Sequence, residues 1–94
     1  MKDVSKYSNL SVVKKRAEEL LGKGARVDIS TRKEKKFMIE DPITNKKVHF
    51  GQMGFQDYTK HGDEERRDRF RIRNSKWREA PLYSPARLAY ELLW

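Results

Sequence analysis

The run D-Y-T-K-H-G-D-E-E-R-R-D-R-F-R-I-R, residues 57–73, opens with carboxylates and an imidazole and closes with five arginines in eight residues. Asp57, His61, Asp63 and Glu64 are side chains that hold divalent cations or exchange protons, and a small nuclease could be built from such a set. Their spacing matches no established ligand pattern. His49 is the only other histidine, and it lies in strand-like sequence. The chain has no His-Glu-x-x-His, no phosphate-binding glycine loop, no dinucleotide fingerprint and no cysteine nucleophile. Asp57 and Thr59 suit local turn or capping hydrogen bonds better, with His61 a polar residue beside them. The expectation is a non-enzyme with no cofactor, no metal and no small-molecule substrate.

The arginines speak for binding. On a helix Arg66, Arg69 and Arg73 share one face, and Arg67 and Arg71 form another. Lysine dominates the first sixty residues and arginine dominates here. That is a change of chemistry as well as of charge, because guanidinium makes bidentate contacts to carboxylate and phosphate. Asp63–Arg67 and Glu65–Arg69 stand at i,i+4 in the favourable order, worth about 0.2–0.5 kcal/mol each. Pairing with Asp63, Glu64, Glu65 and Asp68 uses only part of the guanidinium capacity.

These residues need a scaffold, and 94 residues supply one domain, 1–94. Charged residues make up 38% of the chain, yet four Tyr, four Phe and two Trp provide a core that a disordered segment would lack. The net charge of +8 points to anionic partners. Acids interleave with the bases throughout, which argues against a dedicated nucleic-acid tail. Without cysteine there are no disulfides or thiolate metal sites, as suits a reducing compartment. No apolar run approaches the roughly 18 residues of a membrane span, and M-K-D-V-S-K-Y lacks a signal core. The chain is therefore expected not to be transmembrane.

An α+β fold follows from the periodicities. Residues 8–24 predict an amphipathic helix with Leu10, Val13, Ala17, Leu20 and Leu21 on one side, Ser8 as N-cap and Gly22 or Gly24 as the stop. Lys14, Lys15 and Arg16 fall on its wet side. Residues 25–50 predict a three-stranded antiparallel meander, with Ala25, Val27 and Ile29 alternating, a strand over 36–40, turn chemistry at Pro42 and Asn45, and a strand over 47–50. Residues 51–62 predict a Gly/aromatic loop in which Gly51, Gly54, Asp57, Tyr58, Thr59 and His61 form a structural turn. The Arg-rich helix spans 63–74, and Phe70 and Trp77 share a face if it continues. A C-terminal apolar helix over 84–94 is capped by Ser84 with Pro85 at its first position. Its stripe of Leu88, Ala89 and Leu92, widened by Tyr90, Leu93 and Trp94, must be buried, either on the sheet or in a partner.

The segment V-H-F-G-Q-M-G-F-Q-D-Y-T-K-H-G-D-E-E-R-R-D-R-F-R-I-R-N resembles an uncharacterised family of small basic proteins encoded by large nucleocytoplasmic DNA viruses of algae and protists. Val48, Phe50, Gly51, Gly54, Asp57, Tyr58, Thr59, His61, Asp63, Arg66 and Phe70 carry the resemblance, with Tyr83–Trp94 similar to the family's late Trp-bearing segment. It covers about residues 46–94, departs from the pattern at Pro81 and Pro85, and finds nothing in residues 1–45. The resemblance implies a viral source and brings no activity.

Together these expectations describe a minor capsid protein of a large icosahedral DNA virus. It would be made in the host cytoplasm and placed in the virion, on the inner surface of the capsid, cementing the major capsid protein and other minor capsid proteins. Arg66, Arg67, Arg69, Arg71, Arg73, Trp77, Tyr90, Leu93 and Trp94 would meet the partner, since aromatic and arginine side chains dominate interface energetics. The alternative is a basic nucleic-acid-binding protein that assists genome packaging.

Overall fold

Alternating apolar residues from Val27 onward produce one antiparallel sheet in the order β1-β2-β3, from β1 (Val27–Ile29), β2 (Lys35–Glu40) and β3 (Lys47–Gln52). A computed structural model gives this architecture and describes residues 3–94. The register sets Val27 against Ile39 and Ile39 against Val48, and it pairs Phe37 with Phe50, whose ring centres lie 5.8 Å apart. The β2–β3 turn uses the chemistry its residues predict. The Asp41 carboxylate accepts from the Ile43 N–H at 2.9 Å, and Asn45 takes the left-handed conformation at φ +59°. Ile29 continues the alternation of Val27 but is 40% exposed at the end of a short edge strand.

Helix α1 (Leu10–Leu21) buries Val13 and Ala17 completely and Leu10, Leu20 and Leu21 in part. It is shorter than the expected 8–24. Asn9 caps it, not Ser8, by accepting from the Val12 N–H at 3.3 Å. Ser8 is instead buried and donates to Asp57, so a tertiary partner outcompetes the local cap. Gly22, at φ +99°, ends the helix.

The chain's end folds back. Ser84 accepts from the Arg87 N–H at 3.2 Å and caps α4 (Pro85–Leu88), which runs on as a π-helical turn over Ala89–Leu93. Leu88, Leu92 and Leu93 join Phe37, Ile39, Phe50, Val13 and Ala17 in one core, so α1 and the C-terminal helix together complete the layer over the sheet.

The expected loop over 51–62 is corrected. Gly51 and Gln52 belong to β3, and Tyr58–His61 forms a helical turn, α2, capped by Asp57 and stopped at the left-handed Gly62. Gly51 has a packing reason beyond its φ of +83°: a Cβ there would stand 2.9 Å from Leu93 Cδ1 and 3.1 Å from Lys36 Cβ. Helix α3 (Glu64–Arg73) follows with Asp63 as N-cap, and a 3-10 turn over Ser75–Glu79 carries Trp77. The expected Asp63–Arg67 ion pair gives way to that cap, in which Asp63 accepts from the N–H groups of Glu65 and Arg66. Glu65–Arg69 does form, at 3.6 Å on the surface.

Candidate functional site

The site begins with an interior pair. Lys36 Nζ lies 2.9 Å from the Asp57 carboxylate, with the side chains 2% and 1% exposed. Asp57 also accepts from Ser8 Oγ, Thr59 Oγ1 and, at 3.0 Å, the Thr59 N–H. The Tyr7 carbonyl takes the Asp57 N–H at 3.0 Å and Lys36 Nζ at 3.4 Å. Burial pulls the Lys36 pKa below its ordinary value, with the Asp57 charge opposing. This network ties the N-terminal segment, β2 and α2 together, and thereby fixes where α3 starts. Asp57 and Thr59 do make the local capping bonds expected of them. The ion pair to Lys36 carried no sequence signal, because its partners lie 21 positions apart.

The two arginine faces of α3 separate as helical spacing requires, and they do different things. Arg67 and Arg71 turn inward. The Arg67 guanidinium sits 4.9 Å from the Tyr58 ring centre, and its Nε donates to the main-chain oxygen of Trp94 at 2.6 Å. Arg71 stacks 4.4 Å from the centre of the Tyr90 ring. Arg16, expected on the wet side of α1, joins them: it lies 5.7 Å from the Tyr58 ring and donates to the Leu92 carbonyl at 3.4 Å. Burial first, then the charges of Arg67 and Arg71, lower its pKa. These cations therefore serve the chain's own C-terminal turn, whose outward carbonyls carry partial negative charge. Tyr90 and Leu93, expected at a partner interface, are 3% and 1% exposed and lie inside the fold.

Arg66, Arg69 and Arg73 turn the other way and line a groove of about 730 Å³. Lys35 of β2 also lines it, and Gln52 and Gln56 add hydrogen-bonding groups. The floor is aromatic. Phe70 stacks on Trp94 with ring centres 4.2 Å apart and planes 8° from parallel, and Trp77 meets Phe70 edge-on at 5.7 Å. Phe55 also lines the groove, 66% exposed. No carboxylate is among the lining residues. Trp77 and Trp94, singled out in the sequence as partner-facing, both line the groove, whereas Lys35, Phe55 and the two glutamines were missed. Gly54, at φ +94°, precedes Phe55 just beyond the end of β3, and a glycine beside an aromatic was the one available hint.

His61 packs against Trp94 at 5.3 Å, and its Nδ1 accepts from the Asp63 N–H at 2.9 Å. Burial, reinforced by Arg66, lowers its pKa. Among the described residues no three His, Cys, Asp or Glu side chains gather to hold a metal ion. No helix there is long and apolar enough to cross a membrane.

Fold and site define a small basic α+β domain with a cationic, aromatic-floored groove beside its sheet. The chain belongs to a family of unknown function, DUF5754, whose model matches residues 25–74. That match takes in the meander, the Lys36–Asp57 pair and all of α3, and it ends before Trp77 and Trp94. No curated protein and no solved structure matches the chain.

Proposed function

We propose that the protein is a non-enzymatic nucleic-acid-binding module that grips its ligand in the groove between α3 and the sheet. The observation that carries this is the segregation of Arg66, Arg69 and Arg73 onto the groove wall, above the Phe70–Trp77–Trp94 floor, in a lining that holds no Asp or Glu. Guanidinium groups take phosphates, and exposed rings take base faces. The resemblance of residues 46–94 to proteins of large DNA viruses supports, within this reading, a role in the virion on the packaged genome.

The two tryptophans of the chain both line the groove, so they report on it directly. Titration with an oligonucleotide quenches their fluorescence. The logarithm of affinity falls linearly with the logarithm of salt concentration, with a slope of about −2 to −4 for three or four neutralised phosphates. An Arg66→Gln/Arg69→Gln/Arg73→Gln variant flattens that slope. Absence of quenching at low salt would overturn the proposal.

A second reading, the minor capsid cement, is favoured by apolar side chains left on the surface: Ile72 is 76% exposed, Phe55 66% and Leu82 38%. Its partners would be the major capsid protein and other minor capsid proteins. Cross-linking mass spectrometry on intact particles separates the two. Links from Lys60 and Lys76 to the major capsid protein favour cement, and links to core proteins alone favour genome binding.

A further inference from the structure

Resting on the nucleic-acid reading, we infer that the groove takes single-stranded nucleic acid, with an unpaired base stacked on Phe55. Two independent observations carry the choice of strand state. The first is the ring itself. Phe55 is 66% exposed on the groove, and among the described residues no other aromatic ring lies against it. A duplex keeps its base faces stacked inside, so among nucleic acids an open ring on a cationic wall is covered by a base that has left the stack.

The second observation is the charge on α3. Its cations Arg66, Arg69 and Arg73 line the groove, while Glu65, Asp68 and Ile72 are exposed on the adjoining helix surface, where Glu65 pairs with Arg69 at 3.6 Å. A helix laid into a major groove presents its outer face to base edges and its flanks to two phosphate strands. Here that face would bring Glu65 and Asp68 against phosphates. A single strand lying between α3 and the sheet meets a lining that holds Arg66, Arg69 and Arg73 and no Asp or Glu side chain. Arg66 to Arg73 spans roughly 10 Å along the helix axis, and the groove volume of about 730 Å³ is that of a pocket for a ligand of nucleotide size. The site therefore holds a short stretch of strand.

The test titrates the full chain with fluorescein-labelled oligothymidine of about 12 nucleotides, a duplex of the same length, and a polyglutamate peptide, all at one salt concentration. The single strand is expected to bind at least about tenfold tighter than the duplex. Phe55→Ala is expected to weaken single-strand binding about fivefold or more, leaving the salt slope and the thermal melt unchanged because the ring is exposed. Phe55→Tyr is expected to restore affinity. Equal or tighter binding of the duplex, or undiminished affinity in Phe55→Ala, would overturn the single-strand assignment while leaving the nucleic-acid reading standing. Binding of polyglutamate with neither nucleic acid bound would overturn both.

Discussion

Removing one member of the Lys36–Asp57 pair leaves a charge with neither water nor counter-ion. Asp57→Ala is expected to cost about 3–5 kcal/mol in urea denaturation, because the Lys36 ammonium stays in the interior. Replacing both partners, as Lys36→Met with Asp57→Leu, recovers part of that loss and leaves the missing cap on α2 as the residue of it. His61 yields a pH prediction. Its folded pKa lies below the ordinary histidine range, through burial first and then Arg66, against the opposing charges of Asp63 and Asp57. Below the ordinary value the unfolded chain therefore binds the proton more readily than the folded one, so stability falls as pH drops from about 7 to about 5. Protonating Nδ1 would also break its bond to the Asp63 N–H. His61→Gln flattens this component of a melting-temperature series against pH.

At the scale of elements, the two glycines that flank the end of β3 differ in kind. Gly51 has positive φ and no room for a Cβ, whereas Gly54 has positive φ and open space. Gly51→Ala is expected to cost about 2–5 kcal/mol, from left-handed strain together with overpacking against Leu93 and Lys36. Gly54→Ala should cost about 1–2 kcal/mol from strain alone. Equal costs measured by denaturation would show that Leu93 yields without penalty. The missed helix α2 belongs here as well. Asp57 as cap and Gly62 as stop were both readable, but four residues are too few for hydrophobic periodicity to register.

Over the whole molecule, α3 is held by side chains more than by burial. It contains no buried residue, and its moorings are the Phe70–Trp94 stack, the Arg67 bond to the Trp94 main chain and the Arg71–Tyr90 contact. Elements with few buried apolar contacts open at low free energy. Hydrogen exchange is therefore expected to be faster along α3 than along β2, and Trp94→Ala should accelerate α3 further while β2 stays protected. Nucleic acid bound in the groove should slow exchange in α3. The core cluster explains the contrast, since Phe37, Ile39 and Phe50 contribute to it directly from the sheet.

What the sequence by itself determined is what short-range forces decide. Alternation set the three strands, 3.6-residue periodicity set α1, and Asp63, Ser84 and Pro85 marked helix starts, because each of these acts within a few residues of its own position. It also sorted the arginines of α3 into two faces. Which face would line the groove and which would be absorbed into the fold was decided only by tertiary structure. Tyr58, Tyr90 and Trp94 had first to be brought beside α3, and a cation–π contact or a bond to a distant main-chain oxygen leaves no periodic trace in sequence. The fold-back of Tyr90 and Leu93, the Ser8–Asp57–Lys36 network and the position of Phe55 over the groove have the same origin. Each joins residues far apart in the chain, and the free energy that selects them, desolvation on one side and charge or ring contact on the other, exists only once the core has closed.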